Sequence, residues 1–356
     1  MESNEIKLQQ LFYYTAISLS VLILLYAGKT LFIPMFYGLL IALVLYPFCS
    51  GLEARGFNKT VAIIIGMIIV TLFIIGLGSL LILQIKALQH DFPELKARFL
   101  ANIPELKAWI YSTSGISQAA QDKWWSDFKS SPSIFTSSTI RNTMSATFNM
   151  IYIGYITPVF TVLFLYNRKV FVQFLSSLAG AEYKDKLSVI LRETVTSYAN
   201  FIKGMIKVYL IVGTLNSLGL LLLGIKHALL FGYLTAIMTI IPYIGIFVSS
   251  MLPISVAWLT KGHILYPLGV IAVFSFVQYL EGNIIFPRVV GSQLNISTWA
   301  TLVAIIAGGI LWGISGMILF IPFIGMLKIV SDYIPEWKSL NILISRRSQP
   351  DPAGQA

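Results

Sequence analysis

Between residues 205 and 331 the chain carries one acid, Glu281, and one arginine, Arg288. Both sit in an overwhelmingly apolar stretch. A charged side chain at mid-membrane costs about 2.5–3.5 kcal/mol on insertion scales, so such groups face protein or water and mark ion or solute paths. Glu281 could hold a coupling proton or a sodium ion. The plainer reading is an ion pair with Arg288 that only secures a loop. Arg288 could draw an anionic or hydroxylated solute, or anchor the chain at the headgroups. Asn216, Gln278 and Asn283 offer amides to the same stretch. In lipid, an amide either meets a solute or ties two helices together, and the tie is the plainer role for Asn216.

Two similar elements are expected to position these groups. Ile241-Pro242-Tyr243-Ile244-Gly245 is nearly repeated by Ile321-Pro322-Phe323-Ile324-Gly325, roughly eighty positions later. Proline and glycine interrupt the helix in each. A break in lipid frees backbone groups that must find partners, so it is tolerated against protein or a wet cavity. Paired broken helices point to a transporter's binding site. The spacing therefore predicts helix breaks at Pro242 with Gly245 and at Pro322 with Gly325. The matching dipeptides Phe231-Gly232 and Trp312-Gly313 precede the two breaks, although aligning them needs a gap. Ala304-xxx-Gly308 and Gly309-xxx-Gly313 suit close contact between helices.

Of 356 residues, 56% are hydrophobic and 11% charged, against about 25% charged in a soluble chain. So much apolar surface requires the bilayer as solvent. The single cysteine, Cys49, excludes an intrachain disulfide, a CxxC pair and a multi-cysteine metal site. Three histidines without HExxH spacing give a zinc site little to build on, so no metal or other cofactor is expected. No nucleophile–base pair stands out and there is no GxxxxGK[ST], which argues against an enzyme and an ATP-driven pump. The net charge of +10 is scattered between apolar runs, which fits the basic bias of membrane loops and not nucleic acid.

At about 20 apolar residues per crossing, the chain reads as an all-α polytopic membrane protein with roughly eight transmembrane helices, two of them Pro/Gly-broken. The expected organisation is three N-terminal spans in 1–85, the first two forming a hairpin, then an extracytoplasmic helical insertion over 86–146. There Pro93 and Pro104 each start a short amphipathic helix, Trp109, Trp124 and Trp125 suit an interface, and the serines around Pro132 form a loop. A fourth span and a cytoplasmic amphipathic helix fill 147–204. Its stripe of Leu187, Ile190, Leu191, Thr194, Tyr198, Phe201 and Ile202 is flanked by charge, so it should lie along the membrane surface. A transport core over 205–331 holds four more spans, the seventh ending at Gln278 before a polar hairpin that contains Arg288. A polar tail fills 332–356. With both termini inside, most bases are cytoplasmic, and the short outer turns carry only Lys29, Lys226 and Arg288.

The second half also has a familial stamp. The runs Tyr198 to Gly204, Gly219 to Ile225, Ile241 to Gly245, Gln278 to Asn283, Pro287 to Gly291 and Gly313 to Met317 resemble the autoinducer-2 exporter family of bacterial permeases. The similarity is most specific between Phe201 and Lys328. It implies an eight-span transporter of the bacterial inner membrane exporting small solutes, with autoinducer-2 as the namesake and quorum sensing as its setting. Sodium–proton exchange is attributed to some relatives. Met205 stands where many members carry glutamine, and Asn295-Ile296-Ser297-Thr298 replaces a frequent His-Pro pair.

The expected function is an inner-membrane secondary transporter, an exporter of a small polar solute with proton or sodium coupling through Glu281. Its partners would be the bilayer, the solute or coupling cation, and further copies of itself in a homo-oligomer. The alternatives are a sodium or potassium/proton antiporter, and a non-transporting membrane scaffold whose outer segment binds a partner.

Overall fold

A run of apolar residues in lipid satisfies its backbone internally only as a helix or closed barrel, and helices are what form. The computed structural model describes residues 2–130, 137–242, 244–291 and 293–346. Among these, the elements are α1 (Glu2–Ala27), α2 (Lys29–Ala54), α3 (Lys59–Ser114), α4 (Gln118–Ser130), α5 (Ser137–Tyr166), α6 (Arg168–Leu178), α7 (Gly180–Leu222), α8 (Ala228–Met238), α9 (Ile244–Lys261) and α10 (Leu265–Leu280). A π-helical turn at Glu281–Ile285 joins α10 to α11 (Phe286–Val289). Then come α12 (Thr298–Trp312), α13 (Ile314–Tyr333), a 3-10 turn at Pro335–Trp337 and α14 (Lys338–Ile344). The one isolated bridge among the described residues is antiparallel, Ile296 to Ser345.

Among the described residues five helices are long and apolar enough to cross a membrane, Lys29–Ala54, Lys59–Gly76, Tyr183–Leu222, Leu265–Val289 and Ile314–Tyr333. Shorter apolar helices include Thr15–Ala27, Ile151–Tyr166, Ala228–Met238, Gly245–Lys261 and Thr298–Trp312. Their outer faces carry large exposed apolar side chains such as Leu72, Ile75, Leu268 and Phe276. The all-helical polytopic membrane fold is the observed one.

Several connections differ from expectation. Gly28 (φ −86°, ψ 12°) stays close to the helical region, so α1 and α2 meet at a bend and do not double back. Pro93 and Pro104 do not start new helices, because both lie inside the 56-residue α3. They are eleven positions apart, and at about 3.6 residues per turn that is roughly three whole turns. Both prolines thus fall on one face of the helix. Ser137 to Thr139 open α5 instead of forming a loop, while Pro132 lies outside the described residues. The amphipathic stretch expected on the membrane surface and the fifth span are one 43-residue helix, α7. No proline interrupts that run, and the expected stripe is used for packing, with Ile190 and Tyr198 buried.

The chain forms two compact units. The first comprises Met1–Ile69, Ile153–Met205 and Val290–Ala356. Its core packs Ile33 and Leu40 of α2, Tyr198 of α7, Trp312 of α12 and Leu319 of α13. Trp312 donates from Nε1 to the Leu25 carbonyl at 2.9 Å. Phe36 meets Trp312 (5.6 Å) and Phe323 (4.8 Å) ring to ring. At another corner Arg168 pairs with Glu53, and Lys59 donates to the Tyr166 carbonyl.

The expected eighth span is here a helical hairpin, α12 and α13, turning at Gly313 (φ 60°, ψ −139°). A Cβ on Gly316 would lie 1.9 Å from the Gly308 carbonyl oxygen, so the two backbones touch. Pro322 and Gly325 are therefore not a break. Pro322 is buried within a continuous α13, and Gly325 packs against Leu294. Gly313 ends the helix instead because its positive φ costs glycine nothing.

The tail also folds back. The Ser297 amide donates to the Ile344 carbonyl (2.7 Å), and the Arg346 amide to Asn295 (3.0 Å). Asn341 donates to Ser331 (2.9 Å) and Asp332 (2.6 Å). Residues 335–346 are thus an integral part of the first unit.

The second unit comprises Val70–Tyr152 and Ile206–Val289. Its core is Leu220, Leu230, Phe231, Val256, Ala257, Val270 and Phe274, from α7 to α10.

Candidate functional site

The second unit is assembled around close approaches at small residues, as helix association in lipid requires when no water drives it. Gly219 faces Val273, and Gly269 faces Leu223. The C-terminal half of α7 and α10 therefore run antiparallel. Gly232 meets Ser217, and Gly213 meets the Tyr233 ring. These pairings lay α8 back along α7. Thr214 and Tyr233 close that pairing with a 2.9 Å hydroxyl–hydroxyl hydrogen bond.

The expected break at Pro242 exists, but its form is a fold-back. Helix α8 stops at Met238, residues 239–242 form turns, and α9 starts at Ile244; Tyr243 lies outside the described residues. Lys261, at the end of α9, returns to Gly224, just before α8. Residues 228–261 are therefore a short helical hairpin rather than one interrupted span. At about 1.5 Å per residue, the 11 residues of α8 rise roughly 16 Å, half a hydrocarbon core of about 30 Å. Gly245 makes the tip possible. A Cβ there would fall 1.7 Å from the Met238 carbonyl oxygen. Ser249 donates back to the Gly245 carbonyl at 2.7 Å, and Thr239 to Ala236 at 2.6 Å.

The seventh span does not end at Gln278. The helix continues through the π turn to Val289, and the Phe286 amide donates five residues back to the Glu281 carbonyl. Such widened turns are frequent at functional sites. The Asn283 side chain donates to the Tyr279 carbonyl at 2.9 Å, satisfying an acceptor beside the turn. Arg288 consequently stands in a helix and not in an outer turn.

Glu281 is half-buried, and Tyr209 of α7 lies within reach of its charge. Carrying the α7–α10 register forward puts Glu281 opposite the part of α7 around Tyr209. Among the described residues no cation pairs with Glu281, so the expected Glu281–Arg288 bond is not formed. Its Oε2 is buried and has no hydrogen-bond partner. The same holds for Asn216 Oδ1 and Ser217 Oγ on α7 and for Thr235 Oγ1 on α8. Asn216 is 1% exposed and Thr235 0%. Each such group costs about 1–3 kcal/mol when left unpaired, and native structures hold only a few. Of the eight such atoms among the described residues, these four lie on α7, α8 and the π turn.

Of the residues singled out by sequence, the structure therefore places Asn216 and Glu281 on the inward side of this unit, with Gly245 at the hairpin tip. Gln278, Asn283 and Arg288 lie on its exposed face. Tyr209, Ser217 and Thr235 were missed. A usable signal was present, since Asn216-Ser217 is a polar pair in an apolar helix and Thr235 follows Gly232 by one turn. Periodicity alone could not show which residue of α8 meets Ser217, or that Glu281 lies near Tyr209.

A family model described as AI-2E family transporter matches residues 15–336. The protein YrrI of Bacillus subtilis (strain 168) is 26% identical over 312 residues, covering 85% of this chain and 86% of its own. YueF of the same organism is 26% identical over 319 residues, covering 84% and 83%. The AI-2 transport protein TqsA of Escherichia coli (strain K12) is 22% identical over 335 residues, covering 92% and 94%. With most of its length matched, the chain belongs to the AI-2E family of transporters.

Proposed function

We propose that this membrane transporter moves a small polar solute along a path in its second unit, lined by Asn216, Ser217, Thr235 and Glu281 and closed by the α8–α9 tip. One observation carries the reading, the four buried oxygens without partners. A polar guest would satisfy them, and its hydrogen bonds would offset the cost of their desolvation. Export of a solute of the autoinducer-2 type is the finer assignment, supported by family membership and the name of TqsA. Glu281 couples that movement to a proton or sodium gradient. It is the sole carboxylate of the apolar half, no cation among the described residues pairs with it, and it sits at a turn whose hydrogen bonding can rearrange. The path excludes Gln278, Asn283 and Arg288, which face outward.

The test is gradient-driven flux of candidate solutes, autoinducer-2 among them, in proteoliposomes. Glu281→Gln keeps the shape and removes the charge. Flux should fall at least about tenfold, equivalent to roughly 1.4 kcal/mol of barrier, with the protein still folded. Unchanged flux overturns the coupling role.

A second reading is favoured by the chemistry of the lining. All four unpartnered atoms are oxygens, the ligand type that hard cations prefer. Sodium or potassium/proton exchange would then be the whole activity. Adding solutes to sodium-loaded vesicles separates the two, because an antiporter ignores them.

A further inference from the structure

In the first unit, the docked tail and the start of α12 enclose an open cavity of about 640 Å³. Its lining is mixed in chemistry: Thr298, Ser339 and Arg346 bring polar groups, and Trp299, Ile342 and Leu343 bring apolar side chains. Those three apolar side chains are exposed, at 53%, 67% and 51%. The Arg346 backbone is pinned by its bond to Asn295, and Arg346 is the one base among the lining residues. The cavity stands where α12 begins and beyond where α13 ends. Trp299 lines it and Trp337 precedes the lining Ser339 by two residues, aromatic rings of the kind that favour a membrane–water boundary.

We propose that this cavity is a binding site for one anionic phospholipid. The phosphate lies against Arg346 with the Ser339 and Thr298 hydroxyls beside it, and the acyl chain runs along Trp299, Ile342 and Leu343. A guanidinium matches phosphate in shape and charge. The exposed apolar side chains of the lining need hydrocarbon cover, which a soluble anion cannot supply. A lipid satisfies both kinds of lining group at once, and its headgroup holds the α14–α12 junction in place.

The test is native mass spectrometry of the full chain released from micelles that contain phosphatidylglycerol and phosphatidylcholine in equal amounts. The wild type should retain one phosphatidylglycerol over phosphatidylcholine by roughly fivefold, the ratio expected for one base at a membrane surface. Arg346→Gln should bring that ratio to about one without altering the far-ultraviolet dichroism. Lys338→Ala, a base on α14 outside the cavity lining, should leave it unchanged. Ser339→Trp, which fills the cavity and keeps the arginine, should also abolish retention. Equal retention of the two lipids by the wild type overturns the proposal. So does a preference that survives both Arg346→Gln and Ser339→Trp, or one that falls as far with Lys338→Ala. Displacement of the lipid by millimolar inorganic phosphate would instead make this a free-anion site.

Discussion

Two of the helical hairpins among the described residues, one in each unit, are opposites. The α12–α13 hairpin turns on a single residue, Gly313, and its arms touch backbone to backbone at Gly308 and Gly316. Aromatic rings surround it, with Trp312 against Phe320 at 5.7 Å and Phe36 against both Trp312 and Phe323. The α8–α9 hairpin turns through several residues including Pro242, and α8 faces a helix carrying unpartnered Asn216 and Ser217 oxygens. The first has every sign of a structural clasp. The second keeps polar atoms unsatisfied, a cost that stability alone would remove.

The sharpest way to break this contrast is to place the same lesion in both. Gly245→Ala and Gly316→Ala each drive a methyl group into a backbone carbonyl, and overpacking of this kind costs about 1–3 kcal/mol. Both should lower the melting temperature in detergent. Only Gly245→Ala should also reduce transport per folded molecule, by tenfold or more at about 1.4 kcal/mol per decade. Equal loss of specific transport in the two variants would erase the distinction.

A smaller effect with a more telling sign is expected at Asn216. Replacing it with Leu removes a buried unsatisfied acceptor, so stability should hold or rise by about 1 kcal/mol while flux falls severalfold. If Asn216 only ties helices together, stability and flux will drop in step. On the other side, Trp312→Phe loses the bond to Leu25 and should cost roughly 1 kcal/mol of stability. Its flux, normalised to folded protein, should stay at the wild-type level. Gln278→Ala should be nearly silent in both assays, within about 0.5 kcal/mol as for other outward-facing substitutions.

The near-repeat of Ile-Pro-aromatic-Ile-Gly shows where sequence reasoning reached its limit. Proline and glycine types suggested equal breaks, yet one copy sits at a hairpin tip and the other runs through the middle of a helix. The decision lay outside the motif. Near Pro322, Phe323 packs on Phe36 and Gly325 on Leu294, and α13 runs on through both as one helix. A better clue was visible in the long final apolar segment, where Gly308, Gly309, Gly313 and Gly316 cluster midway. That pattern fits a hairpin better than a single oversized span. The apolar segments, by contrast, were legible because each must be helical in lipid. Glu281 was legible as an isolated charge. Its π turn was not, since nothing in Glu-Gly-Asn-Ile-Ile distinguishes a five-residue hydrogen-bond step from a helix end. The unbroken α7 was missed for a similar reason, because charge along an amphipathic stripe was read as a boundary.

The bonds from Ser297 to Ile344 and from Arg346 to Asn295 have a consequence for biosynthesis. The entrance to α12 is stitched to residues translated about fifty codons later. The α12–α13 hairpin must therefore wait, inserted but unfastened, until the ribosome has delivered residue 346. A nascent chain stalled before that point would hold all its apolar helices and still lack the seam that fixes the start of α12.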